Sequence, residues 1–75
     1  MFAEKIFSAR LRALRQAEGL TLEQLGAPLG ATKATIGNLE HARKKPSLDM
    51  VIALADYFGV SLDYLVGRSD DPSRR

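Results

Sequence analysis

Seventy-five residues allow one domain and a core just large enough to fold alone. The absence of cysteine excludes disulfides and cysteine-held metals and suits a reducing cytoplasm, and one histidine makes no metal-ligand set. The net charge is only +2, yet residues 1–45 carry eight basic and four acidic side chains, whereas residues 46–71 carry five aspartates against Arg68 alone. A basic N-terminal half suits an anionic partner; an unevenly charged, solvated surface is the plain alternative. No apolar stretch approaches a membrane span, and Glu4 and Lys5 precede any sizeable apolar run, so neither a membrane segment nor a signal peptide is expected.

The pattern is all-α. Ile6, Phe7, Leu11 and Leu14 mark one face of a first helix, from Ala3 to Glu18, which Gly19 stops. Thr21 is a good N-cap for a second, with Gln24 at the capping-box position and Leu22, Leu25 and Leu29 facing inward. Pro28 lies inside it, where the missing N–H should kink or end the helix, and Gly30 breaks the chain. Thr32 caps a third helix that turns Ile36 and Leu39 inward and ends near His41. Ser47 caps a fourth, with Asp49 near its positive end and an apolar face of Leu48, Val51, Ile52, Ala55 and Phe58. Gly59 ends it. Ser61 opens a short fifth helix, closed by Gly67, and residues 68–75 read as a flexible tail after a domain of residues 1–67.

The turn around Gly30 is too short for the second and third helices to pack side by side. It suits a steep crossing, the helix-turn-helix unit, here about residues 21–41. In that unit the second helix enters the DNA major groove. The side chains fit such a task. The Thr32 hydroxyl and the free N–H groups of the first turn can bind a phosphate. Lys33 can donate to guanine or to phosphate, and Asn38 can pair with adenine. Arg43, Lys44 and Lys45 form a basic cluster suited to the sugar-phosphate chain.

Five segments in register resemble one family: Thr21-Leu22-Glu23-Gln24-Leu25-Gly26, Leu29-Gly30-Ala31-Thr32, Thr35-Ile36-Gly37-Asn38-Leu39-Glu40, Lys45-Pro46-Ser47-Leu48 and Gly59-Val60-Ser61-Leu62-Asp63-Tyr64-Leu65. Together they are similar to the phage-repressor and Cro type of helix-turn-helix domain, also called the xenobiotic-response-element family, over about residues 7–67. The resemblance implies a five-helix domain that binds double-stranded operator DNA as a homodimer. It places Thr32, Lys33, Ala34, Thr35 and Asn38 at DNA on the recognition helix, residues 32–41, and Thr21 and Leu22 at a phosphate. It also implies an ion pair between Arg15 and Glu40. The apolar surplus at Leu62, Tyr64 and Leu65 is expected at the dimer interface.

The chain departs from the family pattern at Leu22, where relatives often carry a polar residue, and at Ala34 and Gly37, which give the recognition helix little to hydrogen-bond with. Ala34 can still touch a thymine methyl group. Pro28 and Ala42, the latter at the place of a helix-ending glycine, are further departures. The expected function is a sequence-specific transcriptional regulator, a repressor, in the cytoplasm. The alternative is a protein-interaction module, such as an antitoxin, that keeps the fold without reading bases. No nucleophile–base pair, cofactor motif or small-molecule site is evident, so neither an enzyme nor a cofactor is expected.

Overall fold

Helix α1 (Glu4–Ala17) begins the fold in a computed structural model that describes residues 2–74. It buries Phe7, Ser8 and Leu11, while Leu14 is half-buried. Ile6, expected to face inward, is exposed, because it lies one helical step of about 100° to the side of Phe7. Ser8 is a polar residue in the core, and its hydroxyl donates to the Leu39 carbonyl at 2.5 Å. The same carbonyl accepts from the Ala42 N–H at 3.3 Å, so the Ser8 hydroxyl finds its partner on an oxygen at the end of a distant helix that has a second acceptor position free.

Helix α2 (Leu22–Gly26) starts at Thr21, whose side chain accepts from the Gln24 N–H at 3.1 Å while Gln24 Oε1 accepts from the Thr21 N–H at 2.9 Å. Pro28 ends it early: with no N–H it cannot bond back to Gln24, and the chain tightens into one 3₁₀ turn, Ala27–Leu29. Gly26 is required by contact. A Cβ there would lie 2.3 Å from the Ala31 carbonyl oxygen, so only glycine lets the turn fold back so closely. Helix α3 (Lys33–Glu40) follows, with Thr32 as N-cap accepting from the Thr35 N–H at 3.2 Å.

Past α3 the chain reverses at Ala42, which holds φ at +55°. A Cβ disfavours that region by about 1–2 kcal/mol. Glycine would lose more entropy on folding, a smaller term of about 0.4–1 kcal/mol. Ala42→Gly is therefore expected to stabilise the domain by about 0.5–1 kcal/mol. A rise in the urea midpoint with unchanged slope is the expected result, and a fall would show that the left-handed turn carries no strain.

Helix α4 (Leu48–Phe58) is capped by Ser47, whose hydroxyl accepts from Met50 N–H at 3.1 Å. It buries Val51, Leu54 and Ala55. Leu48 and Ile52, expected on its inward face, are exposed, and Leu54 takes the place in the core. The buried stripe at 51, 54, 55 and half-buried 58 is the apolar stripe of a helix that faces the core on one side. Helix α5 (Leu62–Leu65) is one turn, capped by Ser61, and buries Leu65.

All five helices thus give at least one wholly buried side chain to one core, made largely of Phe7, Leu11, Leu25, Ile36, Leu54 and Leu65. Each such side chain contributes about 1.5–3 kcal/mol, so no helix can leave without opening the core. There is no strand among the described residues, and no helix is long and apolar enough to cross a membrane.

Candidate nucleic-acid interface

Helix α3 turns Ile36, Leu39 and Glu40 into the body of the domain. At about 100° per residue, the opposite side is centred on Ala34 and Asn38. Ala34 is exposed, Asn38 is half-exposed, and the Asn38 amide makes no hydrogen bond among the described residues. Lys33 flanks this face on the side of α2, in the exposed first turn. Gly37 lies on the same flank, where a Cβ would meet Leu22 Cδ1 at 3.7 Å. Leu22 is half-buried in that seam and packs toward the core, so its side chain does not point out beside Thr21, which is exposed. Thr35 forms the other flank. Its hydroxyl pairs with that of Thr32 at 3.1 Å, which leaves it less available to a base than the sequence suggested.

Beyond α3, Arg43, Lys44 and Lys45 are exposed. Thr35, Lys44, Lys45, Pro46 and Ser47 line a small open cleft of about 140 Å³ between α3 and the start of α4. Lys45 is loosely paired with Glu4 at 3.7 Å. Such an exposed pair is worth about 0–1 kcal/mol and is readily exchanged for another anion. Arg10, one of the eight basic residues of the N-terminal 45, is withdrawn from this surface. Its guanidinium lies over the Tyr64 ring, 4.1 Å from the centroid, and is bonded to backbone carbonyls.

One ion pair joins α1 to the end of α3. Arg15 Nε donates to Glu40 Oε2 at 2.5 Å and Nη2 to Oε1 at 3.0 Å, a two-pronged contact. Nη1 donates to the Leu20 carbonyl at 2.8 Å, which ties the same guanidinium to the α1–α2 turn. Arg12 stands 3.6 Å from Glu40 on the outer side and 3.4 Å from His41 Nδ1. The hydrogen bond to Glu40 raises the Arg15 pKa, opposed by desolvation and aided by charge attraction. A raised arginine loses its contribution only as pH climbs through a value already far above neutral, so on the arginine side the brace holds throughout the neutral range.

The geometry is two helices crossing at a tight turn, the second bearing one open face bordered by cations. The sequence model described as a helix-turn-helix domain matches residues 6–65. The chain belongs to the helix-turn-helix family. It is similar to YobD of Bacillus subtilis, named an uncharacterised HTH-type transcriptional regulator, with 45% identity over 89% of this chain and 60% of YobD. It is also similar to the HTH-type transcriptional regulator AnsR of the same organism, with 36% identity over 79% of this chain and 51% of AnsR. The chain therefore spans between half and two thirds of these two relatives. Among solved structures, the P22 c2 repressor in complex with a synthetic operator superposes with a TM-score of 0.79 at 25% identity, covering 85% of this chain and 97% of the repressor. The DNA-binding domain of BldD from S. venezulae gives 0.71 at 26% identity, covering 84% and 94%.

In this helix-turn-helix domain the expected pairing surface is altered. Leu65 is 0% exposed and belongs to the core, so it cannot meet a second copy. Tyr64 is half-buried beneath Arg10. Leu62 stays 40% exposed, and Leu48, which the sequence placed inside, is 69% exposed. The two leucines border one open apolar groove of about 400 Å³ with Phe2, Val51 and Val66. Periodicity places Leu48 with Val51 and Ala55 because it shows which residues share a face and not which neighbour covers it. Among the described residues no group of three or more His, Asp or Glu side chains could hold a metal.

Proposed function

We propose that this chain is the DNA-binding part of a transcriptional regulator, a repressor, that lays α3 in the major groove of double-stranded DNA in the cytoplasm. The observation that carries the reading is the single open face of α3. Ala34 and Asn38 lie at its centre, Lys33 is at its N-terminal flank, and Arg43, Lys44 and Lys45 border it, with Glu40 turned inward. Ala34 offers a methyl contact and Asn38 a two-pronged amide to base edges, while the three cations beyond the helix meet phosphate. Its relatives and structural neighbours, named as transcriptional regulators and a repressor on a synthetic operator, support this reading. The domain is read as a binding module and not as a catalyst.

Two copies would pair through Leu62 and Leu48, edged by Tyr64, so that two α3 helices lie about 34 Å apart, one turn of DNA. The bareness of Ala34 and Gly37 supports a second reading, an interaction module whose partner is a protein. Salt titration of duplex binding separates the two. DNA binding by this face is expected to fall with log salt at a slope of about −0.9 for each phosphate neutralised. Sedimentation on a duplex selected from random sequence is expected to show two chains per operator. Affinity that ignores salt would leave only the interaction module.

A further inference from the structure

Residues 68–74, expected to form a flexible tail, fold back on the domain. We propose that this segment is a strap which, with Arg10 as its clasp, sets the orientation of α5 and thereby the surface through which two copies pair; the second half rests on the homodimer reading above.

Helix α5 has four residues, too few to hold its own conformation. Leu65 is its one wholly buried side chain, and a single buried pivot leaves rotation about it to be set by contacts at the two ends of the helix. Both ends are tied by the strap. At the N-terminal end, the Ser61 N–H donates to the Pro72 carbonyl at 2.9 Å. At the C-terminal end, the Asp63 carbonyl accepts from the N–H groups of Arg68 at 2.8 Å and Ser69 at 3.2 Å, the capping bonds around Gly67 from which the strap departs. Arg10 of α1 joins the two parts. Its Nη1 donates to the Tyr64 carbonyl at 2.5 Å and to the Ser69 carbonyl at 2.6 Å, with the guanidinium carbon over the Tyr64 ring.

Where the strap begins, a Cβ on Gly67 would stand 2.9 Å from Ile6 Cγ2, so the chain runs tightly along α1. At its far end Arg74 meets Asp56 of α4 at 2.6 Å. The Arg10–Asp70 contact, by contrast, involves a fully exposed carboxylate and adds little. The sheltered bonds from a charged donor to two carbonyls are the stronger part of the clasp. Leu62 sits between the tied ends of α5. A loosened strap therefore changes how that leucine is presented, while α3 and its brace stay as they are.

The test is Arg10→Gln, which removes the charge and the fork, read by amide hydrogen exchange and by binding to duplexes with one or two half-sites. Exchange at Ser61, Arg68 and Ser69 is expected to rise about tenfold or more, with Ile36 and Leu39 unchanged. Binding to one half-site is expected to stay within about twofold, while the gain from the second half-site falls about tenfold, or 1.4 kcal/mol. Arg74→Glu sets like charges together at the far end without touching the core and is expected to raise Ser61 exchange about threefold, which keeps the proposal testable if Arg10→Gln unfolds. Unchanged Ser61 exchange in the folded variants overturns the strap. Lower half-site affinity with a smaller salt slope in Arg10→Gln makes Arg10 a DNA contact and also overturns the proposal. Wild-type protein that never pairs on two half-sites refutes the homodimer reading and the pairing role with it, while the exchange result still decides whether the strap exists.

Discussion

Replacing Glu40 by alanine is expected to remove about 3 kcal/mol of stability, at the lower end of the range for breaking a buried pair. The Glu40 side chain is 3% exposed and that of Arg15 is 15%, so both groups have left most of their water. Without Glu40, Arg15 keeps its bond to Leu20 but loses two carboxylate bonds, and it can recover only part of its hydration at the domain edge. A domain of this size has a total stability of about 4–11 kcal/mol, so the loss is a large fraction. Arg15→Ala should cost less, because Arg12 at 3.6 Å can move in on the carboxylate. Replacing both by leucine or methionine should recover most of the loss, since a buried pair is often no better than well-packed apolar groups. Denaturation of the four proteins in a double-mutant cycle checks this. Additive single effects would show that α3 is held in place without the brace.

Asn38→Ala is expected to cost about 1–3 kcal/mol on the preferred operator and to relax the preference at one base pair. Asn38 stands beside Ala34 at the centre of the open face with a free amide, which is why the loss should be specific. Lys33→Ala should behave alike, from its place in the first turn, again by about 1–3 kcal/mol. Lys44→Ala should weaken all sequences equally and lower the salt slope by about one. Lys45→Ala should do the same to a smaller extent, because Lys45 first gives up Glu4. Each variant is measured on the preferred site, on its single-base changes and on random duplex at two salt concentrations. Equal losses on every sequence for Lys33 and Asn38 would mean that these side chains do not read bases, and the interaction module would become the better account.

Much of the fold was legible before any coordinates. Thr21, Thr32, Ser47 and Ser61 all cap helices, each accepting from the N–H three residues on. Pro28 ends α2 where a missing donor must, and the turn that defines the candidate site follows. The basic cluster at 43–45 could also be named in advance, since adjacent residues in a loop remain neighbours however the chain folds. Ala34 and Asn38 were readable as candidates, and with Ile36 and Leu39 expected inward their side of the helix followed at about 100° per residue. What the sequence did not show is how the flanks are closed, by Leu22 against Gly37 and by Thr32 against Thr35.

The sequence by itself determined what is local: four caps, the early end of α2, the steep turn and the spacing of apolar residues along each helix. These rest on bonds between residues three or four apart, and the chain carries both partners within one turn. Only the tertiary structure decided that Leu54 and Leu65 lie in the core while Leu48 and Ile6 do not, because burial belongs to a residue and its distant neighbour together. It also decided that Thr35 spends its hydroxyl on Thr32 and that Leu22 closes against Gly37. Arg10 shows the reason most plainly. In the sequence it is one of eight basic residues in the N-terminal 45, free to meet an anion. In the fold it meets Ser69, 59 residues away, and a charge satisfied at that distance cannot be inferred from its neighbours in the chain.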